Sequence, residues 1–342
     1  MPTPFRWLAA WLALSALPVA ACDFQQPPQA RAESCNRLLA RSINFGNMLD
    51  HAREGMAGPA LRDEFIVLTA KAGFTAIRLP IRWDAQAADK PPYAIDPEFF
   101  ERIDGVVKLA LANGLAIVLD MHHYTGMMSE PETEQPRFLA LWKQVAERYR
   151  AAPAQVIFEV LNEPHKDLTQ ARWNKVLAAV LPVIRASNPH RTLIVGGSEW
   201  NNRKMLETLA LPRDDRNLIA TFHYYEPMAL THQGAEWVSG AAAWAGTKWR
   251  ADAADLRHLR EAFDGVAAWA KREQRPIYLG EFGAYSKADA ASRIAWTRAV
   301  REHAEARGFA WAYWELAAGF GVLEPRSLQW RKPLLDTLIP AK

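Results

Sequence analysis

From about residue 41 onward, short runs of apolar and β-branched residues alternate with longer stretches whose apolar positions recur at helical spacing. The short runs are Ser42–Phe45, Thr75–Leu79, Ala116–Leu119, Val156–Val160, Thr192–Val195, Leu218–Phe222, Pro276–Leu279 and Phe309–Tyr313. They read as strands. Between them, stretches such as Phe65–Ala72, Phe99–Asn113, Phe138–Arg150, Ala171–Ser187, Ala253–Glu273 and Ala290–Arg307 read as helices, several closed by Gly or Asn-Pro. Strands that alternate with helices imply parallel pairing through crossover connections. Eight such units in roughly 300 residues predict a single-domain α/β fold, a (β/α)8 TIM barrel. The competing architecture is an open doubly wound sheet, but no G-x-G-x-x-G follows the first strand to support a dinucleotide site. No internal repeat, low-complexity tract or linker marks a second domain.

The N-terminus has a different pattern. Arg6, an apolar run from Trp7 to Leu17 and the small residues Ala20 and Ala21 form an export signal. The expected organisation is a signal peptide over 1–22, a polar leader over 23–40 and the catalytic barrel over 41–342. Val19-Ala20-Ala21-Cys22 resembles a lipoprotein box, in which Cys22 would carry lipid. The alternatives pair Cys22 with Cys35 in an oxidising compartment or leave Cys35 as a buried thiol. No other apolar stretch approaches the roughly 18 residues of a membrane span. An exported protein is expected, periplasmic or extracellular, with a lipid anchor at Cys22 as its one route to a membrane.

Composition narrows the class of partner. Half of the 342 residues are hydrophobic and 23% are charged, which excludes a disordered or fibrous chain. Net charge is only +3 and no run of Lys or Arg offers a track for phosphates, so nucleic acid is not an expected partner. Tryptophan stands out at 14 residues, and an indole face can stack on a sugar ring, although core packing accounts for most of them.

In a barrel of this kind the active face lies at the C-terminal ends of the strands. The residues expected there are Arg78, His122, His123, Asn162, Glu163, Glu199, Trp200, His223, Tyr225, Glu281 and Trp314. Burying so many polar groups without partners would cost about 1–3 kcal/mol each, so their shared position points to function. Glu163 and Glu281 end strands on opposite sides of the ring and can face each other over a groove. Glycosidases use such a pair, about 5–5.5 Å apart when configuration is retained and further apart when it is inverted. Sequence gives no distance. Arg78 and Tyr225 could hold Glu281 ionised, as a nucleophile requires, whereas Glu163 beside His223 suits a proton donor. Asn162 could donate to the sugar 2-hydroxyl, and Trp314 could floor the reacting ring. The His122-His123 pair invites a metal reading, but no third ligand stands at a recognisable spacing, so neither metal nor cofactor is expected. No G-x-S-x-G elbow is present, and neither Cys lies near a strand end with a partnering His, so acyl transfer has no visible nucleophile.

Several segments resemble glycoside hydrolase family 5, the cellulase family. They are Ile77-Arg78-Leu79-Pro80-Ile81-Arg82-Trp83, Leu119-Asp120-Met121-His122-His123-Tyr124, Glu159-Val160-Leu161-Asn162-Glu163-Pro164-His165, His223-Tyr224-Tyr225, Gly280-Glu281-Phe282-Gly283 and Tyr313-Trp314-Glu315. The resemblance, running from about Asn44 to Trp330, implies Glu163 as acid/base, Glu281 as nucleophile and retention of configuration. It implies supporting roles for Arg78, His122, Asn162, His223, Tyr225 and Trp314, and no cofactor. Thr231–Trp237 and Ile43–Asn47 are similar to a bacterial subgroup of endoglucanases, some of which also cut mannans. That implies sugar contacts at His123, His232 and Trp237, with Asn44 contributing from the first strand; Trp200 is a further substrate-binding candidate by position. The expectation is a monomeric, retaining endo-β-1,4-glycanase acting on β-1,4-glucan. The alternatives are a mannanase or glucomannanase on the same site, and a carbohydrate-binding protein without turnover.

Overall fold

The computed structural model describes residues 22–341. The expected signal peptide, apart from Cys22, lies outside them. Eight parallel strands close into a barrel in chain order: β1 (Ser42–Asn44), β2 (Ala76–Ile81), β3 (Ala116–Met121), β4 (Val156–Glu159), β5 (Leu193–Gly196), β6 (Leu218–His223), β7 (Ile277–Phe282) and β8 (Ala310–Tyr313). β8 returns to pair with β1, Ser42 opposite Ala312, so the sheet has no free edge. The (β/α)8 barrel expected from the hydrophobic pattern is the fold found. Helices over Asp63–Ala72, Pro97–Ala112, Pro131–Arg148, Gln170–Ser187, Ala253–Glu273 and Ala290–Glu305 wrap the outside. The connection from β5 to β6 instead holds only Ser198–Asn201 and a 3-10 turn over Arg203–Thr208.

Strand alternation divides the core in two. One set of side chains, including Ile77, Leu79, Ile117, Leu119 and Phe158, packs with the apolar stripes of the helices in one large cluster. The alternate set, including Ala76, Val118, Ile157, Ile194, Ile219 and Tyr278, forms a separate cluster inside the barrel. That inner cluster is completed by Ala32, Cys35 and Leu39, two of them from helix α1 (Pro28–Leu38). Residues 23–40 are therefore not merely a polar leader, because α1 plugs the N-terminal mouth of the barrel. Cys22 is joined to Cys35 by a disulfide, and both are buried. Among the described residues no helix is long and apolar enough to cross a membrane.

Candidate active site

The inner face that is apolar at the bottom of the barrel becomes charged toward its C-terminal end. Asn44, Arg78, Asp120 and Glu159 follow Ser42, Ala76, Val118 and Ile157 by two residues, so the pleat turns them to the same interior. Arg78 is fully buried and spends all five of its N–H donors. Nε and Nη2 bind Glu159 at 2.7 and 2.8 Å; Nη1 binds Glu281 Oε1 at 2.8 Å and Asn44 Oδ1 at 2.9 Å. Nη2 also donates to Asn162 Oδ1 at 2.8 Å, and Asp120 lies 3.1 Å away. Burial disfavours the guanidinium charge, but Asp120, Glu159 and Glu281 outweigh it and hold Arg78 firmly protonated.

Glu281 is a residue of β7, because that strand continues to Phe282, past the apolar run that marks it in the sequence. Its Oε1 accepts from Arg78 and its Oε2 from the Tyr225 hydroxyl at 2.9 Å. Glu163, in a left-handed backbone conformation (φ 47°), accepts from His223 Nδ1 through Oε1 at 2.7 Å. His223 Nε2 faces the Asn201 amide nitrogen at 3.2 Å, which fixes the imidazole proton on Nδ1. Oxygens of Glu163 and Glu281 lie within 4.8 Å of each other. Burial pushes both carboxyls up to about 7. Glu281 holds two donors against one for Glu163, so Glu281 is the one of the pair better held as an anion. Burial lowers His223 to about 4, leaving it neutral.

His122 is also neutral, held well below its usual range by burial and by Arg78. Its Nδ1 donates to Asp120 at 2.5 Å, and its Nε2 faces the Asn162 amide nitrogen at 3.4 Å. With Oδ1 committed to Arg78, Asn162 can present only its NH2 group to the groove. Trp314 stacks on His122, ring centroids 5.8 Å apart and planes within 5°. Gly46 makes room for it: a Cβ there would sit 2.5 Å from the indole.

Two connected cavities flank this centre and share His51, His123 and Glu163. The larger, about 480 Å³, is walled by Trp314, Tyr225, Glu281, His232 and Trp237. The smaller, about 300 Å³, is lined by Arg82, Asn162, His165 and Lys166. Trp237 is 60% exposed, edge-on to Tyr285, while Trp200 is 51% exposed and stacks on His165 at 4.8 Å. His232 donates from Nδ1 to Thr231 Oγ1, whose own proton goes to the Tyr225 carbonyl, so His232 Nε2 is left as an acceptor. Asn44 is placed differently from expectation. It is fully buried, with its amide nitrogen on the Gly280 and Tyr313 carbonyls and its oxygen on Arg78, so it supports the site from beneath and lines neither cavity. Sequence reasoning also missed Glu159, Asp120, Asn201 and Glu315. Glu315 accepts from Asn47 and the Phe320 amide, and burial pushes it up to about 8. The available signal for Glu159 and Asp120 was a lone charge in an apolar strand.

The chain matches the family model described as Cellulase (glycosyl hydrolase family 5) over residues 43–319. It is 32% identical over 288 residues to Endoglucanase H of Acetivibrio thermocellus, covering 84% of this chain and 30% of that protein. Endoglucanase 3 of Fibrobacter succinogenes is 25% identical, with 51% of its length covered. The chain thus spans a third to a half of these relatives. The structure is similar to that of Thermotoga maritima Cel5A in complex with cellobiose (TM-score 0.89, 46% identity, 90% of this chain and 100% of that one). Cel5A has also been solved in complex with a mannotriose substrate, with the same score and identity.

Proposed function

Because the chain belongs to the cellulase family, glycosyl hydrolase family 5, we propose that it is an endo-β-1,4-glucanase that retains anomeric configuration by double displacement. The observation that carries the mechanism is the separation of the two carboxylates. One oxygen of each lies within 4.8 Å of the other, which supports the short spacing of retaining enzymes over the wider one in which inversion seats its water. Endo action is supported by the groove, which continues on both sides of Glu163, so a polymer can lie across the centre.

In the proposed reaction Glu281 attacks the anomeric carbon while the bond to the departing oxygen breaks and Glu163 gives that oxygen its proton. His223 donates to Oε1 of Glu163, which leaves the acidic proton on Oε2. Asn162 donates to the sugar 2-hydroxyl, and Trp314 lies under the ring. Water, deprotonated by Glu163, then releases the sugar from Glu281. Binding alone would need no matched acid and nucleophile, which disfavours a non-catalytic reading. β-Glucan is preferred over mannan because endoglucanases recur among the relatives, while the mannotriose complex of Cel5A keeps glucomannan as a secondary substrate.

Export is supported by the signal-like N-terminus and by the Cys22–Cys35 disulfide, which requires an oxidising compartment. A sulfur in that bond cannot also carry lipid, so the exported enzyme is unanchored at Cys22.

The test combines a substrate panel with chemical rescue. Carboxymethyl cellulose and barley β-glucan should be cut internally and faster than galactomannan. Glu281→Ala should be nearly inactive and regain turnover with azide, yielding the α-glycosyl azide from attack on the face the carboxylate had occupied. A β-azide product would refute Glu281 as nucleophile.

A further inference from the structure

Beside the two carboxylates the cleft holds a second cluster of metal-competent side chains. Asp50, His51 and His123 each offer one ligand atom, and these atoms lie within 4.8 Å of one another. The chain does not announce the cluster, since His123 stands 72 or more residues from the other two and meets them only where the loop after β1 passes the end of β3. Asp50 is fully buried; its Oδ2 accepts from the Asn47 amide and lies 4.0 Å from His123 Nε2. Its other oxygen, Oδ1, is buried with no hydrogen-bond partner among the described residues. A carboxylate buried with so few donors is costly to keep charged, and a cation bound at Asp50 would offset that cost. The imidazoles of His51 and His123 sit 5.6 Å apart, both with access to the cleft.

We propose that Asp50, His51 and His123 form an inhibitory binding site for a borderline-soft divalent cation such as Zn2+, at the junction of the two halves of the substrate groove. Two imidazoles and one carboxylate match Zn2+ rather than Mg2+ or Ca2+, which take oxygen ligands. Tetrahedral Zn2+ would bring its ligand atoms to about 3.4 Å of one another, so the site closes around the ion by less than a bond length or so, and the half-exposed His123 can make that movement. The fourth position opens to the groove. Inhibition follows because the ion removes His123 from the sugar, which rests on the proposed glucanase function and on the sugar contact that the family resemblance implies for His123.

The test uses full-length mature protein stripped with EDTA and freed of chelator. Calorimetric titration with ZnCl2 should show one ion per chain, and Co2+ should give the visible absorption of a tetrahedral complex. His51→Ala should weaken Zn2+ binding at least about tenfold, since even outer contacts to a metal site carry that much. Asp50→Asn, which keeps the side chain's size, should do the same. Zn2+ should inhibit carboxymethyl cellulose hydrolysis at the concentration at which it binds, and His51→Ala should need tenfold more. Absence of stoichiometric binding overturns the site, as does binding that His51→Ala leaves unchanged, which would put the ion on Glu163, His223 and Glu281 instead. Binding that His51→Ala weakens, with hydrolysis undiminished when the site is filled, would overturn the inhibitory role and with it the sugar contact at His123.

Discussion

Replacing Arg78 by methionine keeps most of the side-chain volume and removes the one cation that faces Glu159, Asp120 and Glu281. Burial and the neighbouring Asp120 push the Glu159 carboxyl up while Arg78 pulls it down by its charge and two hydrogen bonds, so in Arg78→Met the upward push goes unopposed by the guanidinium and the carboxyl takes up a proton. Holding one carboxyl protonated at pH 7 against an ordinary value near 4.3 costs about 3.7 kcal/mol, and only about 1 kcal/mol at pH 5. This falls within the roughly 3–5 kcal/mol expected when one partner of a buried pair is removed. The sign is fixed. A carboxyl whose folded pKa lies above its unfolded value loses stability as pH rises from the unfolded value toward the folded one. In thermal melts the variant should therefore trail the parent by roughly 7 °C at pH 7 and about 2 °C at pH 5, at about 2 °C per kcal/mol for a chain of this size. A loss equal at both pH values, or below about 1 kcal/mol at pH 7, would refute the claim that Arg78 is what holds the Glu159 carboxyl down against its burial.

Glu163→Ala should slow polymer hydrolysis by about 10²–10⁴-fold but spare aryl glycosides with good leaving groups, since protonation matters only when the departing oxygen is basic; equal losses on both would remove Glu163 as the acid. The pH profile of the parent should be a bell, falling at high pH as Glu163 loses its proton and at low pH as Glu281 gains one, with limbs that belong to the coupled pair. Trp237→Ala should raise KM on glucan and mannan together, whereas His232→Phe, which deletes the Nε2 acceptor, should change the ratio of the two activities; an unchanged ratio would place substrate choice elsewhere. Mass spectrometry of exported protein should find a non-reduced peptide joining Cys22 to Cys35, and an acylated Cys22 would contradict the closed barrel base.

The barrel was legible because its signal is repeated: eight apolar runs of strand length, separated for the most part by helical stretches, leave few alternatives. The ends of the runs were less legible. β7 appears in sequence to stop at Leu279, yet it continues through Glu281 to Phe282, because a strand ends where hydrogen bonding ends and Glu281 finds its partners inside the barrel. α1 was hidden by composition. Its buried Arg31 satisfies its guanidinium on the Asp23, Phe24 and His190 carbonyls, so a residue that reads as solvent-facing is part of the plug. Asn44 misled for a geometric reason: β1 ends early, and its register opposite Arg78 puts Asn44 at the depth of the guanidinium, below the groove. The Arg78–Glu159 pair spans 81 residues and depends on the stagger of β2, β3 and β4, which no local pattern encodes.

His223 shows how the same arrangement can serve both half-reactions. In the proposed cycle Glu163 must begin as an acid and finish as a base. When Glu281 becomes an ester its negative charge disappears, and the carboxyl opposite, no longer repelled, gives up its proton more easily. A neighbour that exchanged protons with Glu163 would blunt this change. His223 cannot do so readily, because burial holds it near pKa 4 and Asn201 pins its single proton on Nδ1. It donates the same hydrogen bond to Oε1 whether Oε2 is protonated or bare, and so orients Glu163 in both steps. On this argument Asn201→Leu should leave the fold in place and broaden the alkaline limb of the pH profile, since the imidazole is then free to flip and to accept a proton from Glu163. A profile identical to the parent's would mean that His223 needs no second partner to hold its tautomer.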